Sequence, residues 1–371
     1  MAITAAHKAY LAIRTAAGIY ADHCNPFGLS SAAGILGEAV DAAMDLLVAT
    51  FHAAFFKWVD DIISTRTPLQ TAAGGQYVYN FDIQDVVGVL EFLGFKIAHP
   101  KVTAFAYMCT YNGFTWDVAN KKVSLPDTKR AKYLRRIQAA LSPAARLSLK
   151  EAEKLRGCLV HICFVFLSGR SHLPSLHRFV SGFRKNRFSR RFLSPMMLSD
   201  LQWWHAALSD PSYSRSLLVR PVVDHDIWVD ASTSWGVALV VGTRFQAWQL
   251  APGWDAGGRH IGWAECIGLE VAMIFSVQQG WQEARLLVHS DNSGAIGQFL
   301  KGRSRNVDIN ASIIRTEELC RTANLSITPI YVRSEDNRAD AASRGMPQPI
   351  LIPLAPPVLL PGAIQPHFLN G

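Results

Sequence analysis

The sequence is short of the features that mark secreted and membrane proteins. Its most continuous apolar run, Cys158 to Leu167, falls far below the roughly 20 residues that a helix needs to cross a bilayer, so no membrane span is expected. The opening stretch MAITAAHKAYLAIRTAAG scatters charge where a signal peptide would hold an unbroken apolar segment, and no secretion is expected. Cysteines are few and dispersed: Cys24, Cys109, Cys158, Cys163, Cys266 and Cys320. Without close pairs they frame neither a zinc ribbon nor a disulfide scaffold. A reducing intracellular setting, cytoplasm or nucleus, is therefore the expectation. Acidic residues are scarce in the middle of the chain. From Lys129 to Arg191, 16 Lys and Arg stand against Glu151 and Glu153, a local charge of +14 in a chain whose total is +8. Positive charge gathered in one segment suits a phosphate backbone, because condensed counterions are released on contact; the alternative is a solvated helical face.

What is present is ample material for a core. Of 371 residues 49% are hydrophobic, a size that suggests two or three domains. Residues 1–128 mix short apolar runs with Gly-containing turns, and include an alanine-rich amphipathic helix over Ala32–Phe56 and the run Phe55–Ser64, an α+β pattern. Residues 129–220 are basic and helical in period, with aromatics at Trp203, Trp204 and His205. Residues 221–345 restart with strands at Ile227–Val241 and Phe245–Leu250, then a Gly-rich turn at Gly253–Gly258 and a helix from Trp263 to about Gln279. A buried strand Ala284–Ser290 follows, then helices over Ser293–Leu300 and Ile309–Thr322, a strand Ile327–Val332 and a short helix Asn337–Ser343. Residues 346–371 carry 7 prolines and predict an extended tail without a core of its own.

Four acids in the third region have the placement that two-metal phosphodiester cleavage requires, with carboxylates converging on ions about 3.5–4 Å apart. Hard oxygen donors favour Mg²⁺ or Mn²⁺. Asp230 lies within the apolar strand Ile227-Trp228-Val229-Asp230-Ala231-Ser232, where a charge is costly unless it is paired or binds metal. Glu265 opens the helix after the first strands. Asp291 ends the strand Leu286-Leu287-Val288-His289-Ser290-Asp291 at its carboxyl end, the usual site position in α/β sheets. Asp340 sits in Asn337-Arg338-Ala339-Asp340-Ala341-Ala342-Ser343-Arg344. Each has a plainer reading: Asp291 as an N-cap, Glu265 as a first-turn charge, Asp340 as a surface acid.

These four segments together resemble the RNase H domain of retroelement polyproteins. Val229-Asp230-Ala231-Ser232, Trp263-Ala264-Glu265, His289-Ser290-Asp291-Asn292 and Asn337-Arg338-Ala339-Asp340 match its four acidic motifs, which implies a metal-binding and catalytic role for Asp230, Glu265, Asp291 and Asp340. Glu270 competes for the helix position, and Glu265 is preferred because it directly follows Ala264. Cellular relatives of that domain carry a histidine-containing loop near the end, whereas Tyr331-Val332-Arg333-Ser334-Glu335-Asp336 is short and has no histidine. The N-terminal region resembles a retroelement reverse-transcriptase palm. Asn25-Pro26-Phe27-Gly28-Leu29-Ser30-Ser31 is similar to its template-contacting loop, and Phe56-Lys57-Trp58-Val59-Asp60-Asp61-Ile62 to its catalytic hairpin. Leu93-Gly94-Phe95, Lys101, Tyr111-Asn112-Gly113-Phe114-Thr115-Trp116 and Val123-Ser124-Leu125-Pro126 resemble the end of the palm and its primer-side hairpin. The likeness is strongest to fungal-type Ty3-like or DIRS-like elements and runs to about Gly345.

A polymerase needs a further acid from a strand upstream of the Phe-Gly loop, and Asp22, the one acid before Phe27, does not match it. Polymerisation is thus not expected from this chain alone, and Asp60 and Asp61 are read as a relic or as part of a split gene. The resemblance implies a partial palm over 1–128, a basic helical connection over 129–220 and an RNase H-like domain over 221–345, with a mixed five-stranded sheet flanked by helices. It further implies two Mg²⁺ or Mn²⁺ ions and an RNA–DNA hybrid partner. The basic segment would hold that partner by its phosphates through Lys129, Arg130, Lys132, Arg135, Arg136, Arg184, Lys185 and Arg187. Trp203 and Trp204 read as core packing ahead of base stacking. The competing reading is a nucleic-acid-binding remnant that cuts nothing. An integrase- or transposase-type nuclease is disfavoured by the early helix acid and the Asn-x-x-Ala-Asp ending.

Overall fold

The computed structural model describes residues 4–21, 23–24, 30–72 and 75–369, with the side chain of Lys185 excepted. Asp22 and the segment Asn25 to Leu29 lie outside the described residues. The chain divides into two compact units, Met1–Asn120 and Lys121–Gly371.

In the first unit the helix Ala32–Phe51 buries Val40, Ala43, Met44 and Leu47, a spacing of three and four residues that makes one apolar stripe. It stops earlier than the expected Phe56 because His52 turns left-handed (φ 50°) and donates its backbone N–H to Val48. The strands Phe55–Trp58 and Asp61–Ser64 then form a two-residue hairpin in register Trp58 to Asp61. The helix Ile83–Phe92 starts at a capping box of Asp82 and Asp85. Phe55, Phe81, Val86 and Leu90 close a small core with the first helix. A second hairpin, Met108–Tyr111 with Phe114–Asp117, turns at Asn112-Gly113, both with positive φ as such a turn demands.

The second unit begins earlier than residue 129, because Lys122–Ser124 pairs antiparallel with Ser214–Ser216 of the same unit. Its helical part and its sheet fall within one compact unit. The helix Val307–Thr322 packs on residues 167–172, and Asn310 Nδ2 donates to the Ser171 carbonyl at 2.8 Å. In the helical part, Trp204 is fully buried and donates its indole N–H to the His172 carbonyl, while Trp203 stacks on the His172 ring at 4.2 Å. Trp204 is core, as the sequence favours, while Trp203 is half-buried.

The sheet has seven strands where five were expected. Five form its body in the order Ser326–Tyr331, Arg285–Ser290, Ile227–Ala231, Gly236–Val241, Arg244–Gln249; the first three run parallel and the rest antiparallel. Val222–Val223 and Ile352–Pro353 are two-residue additions beside Arg285 and Arg244. The second of these comes from the C-terminal stretch, which is not a free tail: Leu354, Val358, Leu360, Ile364 and Phe368 are buried in the main core. Prolines keep it extended, and its apolar residues find a core built by others.

The helix Ile261–Gln278 lies at the centre, buried from Trp263 to Ser276. Among the described residues it, and not Cys158–Leu167, is the helix long and apolar enough by composition to cross a membrane. Packing explains that composition, since the helix contacts the sheet on one side and Val307–Thr322 on another.

Candidate metal centre

The register of two parallel strands builds the site. Trp228 lies opposite His289, so Asp230 and Asp291, each two residues further on, come side by side at the carboxyl ends of neighbouring strands. Glu265 reaches the same place from the central helix. Asp230, Glu265 and Asp291 each offer a carboxylate oxygen, and these oxygens lie within 4.8 Å of one another.

The plainer readings fail for two of them. The helix Ser293–Lys301 is capped by Asn292, whose side chain accepts from the Ala295 N–H at 3.0 Å, and this leaves the Asp291 carboxylate to the cluster. Glu265 is beyond the first turn of a helix that starts at Ile261, and it is 5% exposed. Its Oε2 is buried with no hydrogen-bond partner. A bare carboxylate oxygen in such a place costs several kcal/mol unless a proton or cation joins it. Glu270, the competitor on the same helix, is spent elsewhere: it is fully buried and clasped by Arg315, with Nε to Oε1 at 2.5 Å.

The electrostatics agree with a site for positive charge. Burial first, and then the Asp230 and Asp291 charges, push the Glu265 carboxyl up to about 9. Asp230 is raised to about 7 chiefly by burial; the hydrogen bond from Ser343 opposes this, and the charges of Asp291 and Asp340 add to it. Asp230 and Glu265, both biased towards their protonated forms and set beside Asp291, make a donor set that a divalent cation relieves. The residues therefore fit Mg²⁺ or Mn²⁺, both of which prefer oxygen ligands.

Asp340 is the exception among the four. Its charge is close enough to raise Asp230, but its own carboxylate is gripped by Arg344 four residues on, with Nη2 to Oδ1 at 2.8 Å. Three of the expected acids are thus gathered, and the fourth is held beside them by an ion pair.

Three orienting side chains went unnoticed in the sequence. Asn337 Nδ2 donates to Asp230 Oδ1 at 3.2 Å and to the Val229 carbonyl at 3.1 Å. The Ser343 hydroxyl donates to Asp230, and the Ser334 hydroxyl to Asp291. A signal existed for two of them, since Asn337 and Ser343 stand in the same short segment as Asp340, three residues before it and three after. Nothing in the sequence singled out Ser334.

The expected hairpin acids Asp60 and Asp61 are both exposed, and among the described residues no metal-ligating cluster includes them. The basic residues divide. Lys132, Arg135, Arg184 and Arg187 are exposed and Lys129 half-buried, while the side chain of Lys185 lies outside the described residues. Arg130 is not a phosphate ligand. It is 6% exposed and donates to the carbonyls of Leu208, Asp210 and Pro211, tying its helix to the end of Pro195–Ser209. Arg136 is half-buried and donates to Cys158 Sγ.

No protein-family model matches the chain, and no curated protein does. Among solved structures, the foamy viral protease-reverse transcriptase in complex with RNA/DNA hybrid is similar at 14% identity and a TM-score of 0.45, over 97% of this chain and 45% of that one. The same viral protein in complex with dsDNA gives 14% and 0.43, over 90% and 64%. A third, lettered dRH and bound to ds DNA, gives 12% and 0.43, over 89% and 54%. The chain thus spans about half the length of these structures.

Proposed function

We propose that the unit Lys121–Gly371 is a metal-dependent nuclease that hydrolyses the RNA strand of RNA–DNA hybrids. The observation that carries this is the meeting of Asp230, Glu265 and Asp291 at strand ends around a buried carboxylate oxygen that has no partner. Bound Mg²⁺ or Mn²⁺ would polarise the phosphate and acidify a water there. Asp230, Glu265 and Asp291 would hold a first ion, and Asp340, now paired with Arg344, would be the acid available to a second. That pair is partly exposed, 51% for the Arg344 side chain and 32% for that of Asp340, so water screens it. Asn337 and Ser343 keep Asp230 in one orientation, and Ser334 does so for Asp291. Lys132, Arg135, Arg184 and Arg187 supply contacts to the hybrid's phosphates that are blind to sequence. The choice of hybrid over other nucleic acids rests on the motif resemblance.

The binding-only reading draws on the Arg344 grip on Asp340, which leaves the fourth acid occupied. A labelled hybrid incubated with the purified chain and Mg²⁺ separates the two. Cleavage by the wild type and its loss in Asp230→Asn are expected. A hybrid that both proteins bind and neither cuts, with Mg²⁺ or Mn²⁺, would establish the remnant instead.

A further inference from the structure

The second unit holds a cavity of about 690 Å³ that shares no residue with the carboxylate cluster. Its walls come from residues 165–170, from Ser214–Ser216 with the chain that follows to residue 220, and from the helix Val307–Thr322. Pockets for small organic ligands are of this size, about 300–1,000 Å³. Five arginines line it, Arg170, Arg215, Arg220, Arg285 and Arg321, against two acids, Glu283 and Glu317. Both acids have partners in the fold: Glu283 accepts from Asn324 Nδ2 at 2.6 Å, and Glu317 from the Ser168 hydroxyl at 3.5 Å. Arg220 is tied to Asn324, Arg321 to Glu318, and Arg215 to the Phe164 carbonyl at 2.9 Å. Among the described residues the side chains of Arg170 and Arg285 donate no hydrogen bond.

Arg170 and Arg215 repel each other. Burial first, and then the charge of Arg170, hold the Arg215 guanidinium below its usual range. Like charges gathered in a half-buried corner carry a cost that an anion between them removes. Gly302 marks that corner: a side-chain carbon added to it would lie 3.6 Å from Arg170 Cβ and Cδ and 3.9 Å from Glu317 Oε1. Burial raises Glu317 ahead of the opposing Ser168 bond and Arg170 charge, which biases this acid towards its uncharged form. The rim of the cavity is apolar. Leu167, Leu217, Leu218, Val219 and Leu300 border it while 38–82% exposed, large side chains left in water beside a cationic corner.

We propose that this cavity binds a small organic anion, a carboxylate or phosphate carried on an apolar body, with the anionic group at Arg170 and Arg215 and the body against the leucine rim. Guanidinium forks match either group with paired, charge-assisted hydrogen bonds. A nucleic-acid backbone suits the place less well, since it offers no apolar body to the rim and meets Glu283 and Glu317 among the arginines. The site uses neither the carboxylate cluster nor a divalent ion, so it goes beyond the nuclease reading and does not depend on it.

The test separates the anionic group from the apolar body. The full chain is titrated by fluorescence with anilinonaphthalene sulfonate, an apolar anion, and with phenylnaphthylamine, which keeps the rings and lacks the sulfonate. The expected result is binding of the sulfonate dye about tenfold or more tighter than the neutral one. Arg170 is exposed and donates no hydrogen bond, so Arg170→Ala should keep the fold and lose most of that ratio. Leu300→Ser, at the exposed rim, should weaken both dyes and keep the ratio. Equal affinity of the wild type for the two dyes overturns the proposal without recourse to any variant, and so does a folded Arg170→Ala protein that retains the full preference. Displacement of the sulfonate dye by saturating RNA–DNA hybrid would overturn it as well, and give the pocket to the nucleic acid.

Discussion

Asp60 and Asp61 are neighbours in sequence and lie in water at the tip of a two-stranded hairpin, whereas Asp230, Glu265 and Asp291 come from three separate elements and meet where little water reaches. Adjacency alone leaves the first pair as ordinary solvated acids. Convergence under burial is what raises Asp230 and Glu265 and strands an oxygen of Glu265 without a partner. The lesson is that a candidate centre is recognised by the cost of its charges in place, and not by the number of acids in a motif.

The largest test of this contrast is stabilisation by metal. With Mg²⁺ near a hundred times its Kd, the wild-type sheet unit should gain about 2.7 kcal/mol. Thermal unfolding with and without the ion reads it directly. Asp291→Asn should abolish the gain and Asp61→Asn should preserve it; the reverse pattern would move the metal site to the hairpin.

A smaller effect concerns pH with metal removed by chelation. Unfolded Asp and Glu titrate near 3.9 and 4.3, but in the fold Asp230 rises to about 7 and Glu265 to about 9. Across that window the native state keeps protons that the unfolded state has released. The stability these two groups contribute is therefore full below about pH 4 and is lost as pH climbs to about 9. Glu265→Gln has no proton to surrender there, so its profile should flatten above pH 7 and overtake the wild type in alkali. Parallel profiles would show that Glu265 is not the buried group the geometry describes.

The smallest contrast separates two arginines of one helix. Arg130→Ala should cost about 2 kcal/mol of stability by orphaning buried carbonyls and leave the salt dependence of hybrid binding alone. Arg135→Ala should leave stability alone and lower the slope of log K against log salt by about 1. Denaturant titration and binding at several salt concentrations decide it.

Sequence patterns reached the longer elements of residues 221–345 to within two or three residues, because the strands are apolar runs and the helices carry their own start signals, as at Asn292 and Asn306; they ran Ile227–Ala231 and Gly236–Val241 together and missed the two-residue strands. They also picked Glu265 over Glu270, and the structure places Arg315 on the rejected one. They did not reach facts set by distant partners. Arg130 reads as one more cation in a basic run, and only the carbonyls some 80 residues away turn it inward. Asp340 reads as a ligand, and whether Arg344 folds back on it depends on a short helix that few residues define. The prolines of the C-terminal stretch speak for extended chain without saying what it lies against.

That last stretch has a practical side. It covers the outer strand Arg244–Gln249 at both ends, with Ile352–Pro353 paired beside Arg244 and Phe245, and Leu369 donating to the Gln249 carbonyl. Trimming the protein at Gly345, where the recognisable motifs stop, would bare a rim of unsatisfied peptide groups above an opened apolar seam. Such a rim invites a second copy to dock strand to strand. A shortened protein is therefore expected to elute as soluble aggregates even if every catalytic side chain is intact.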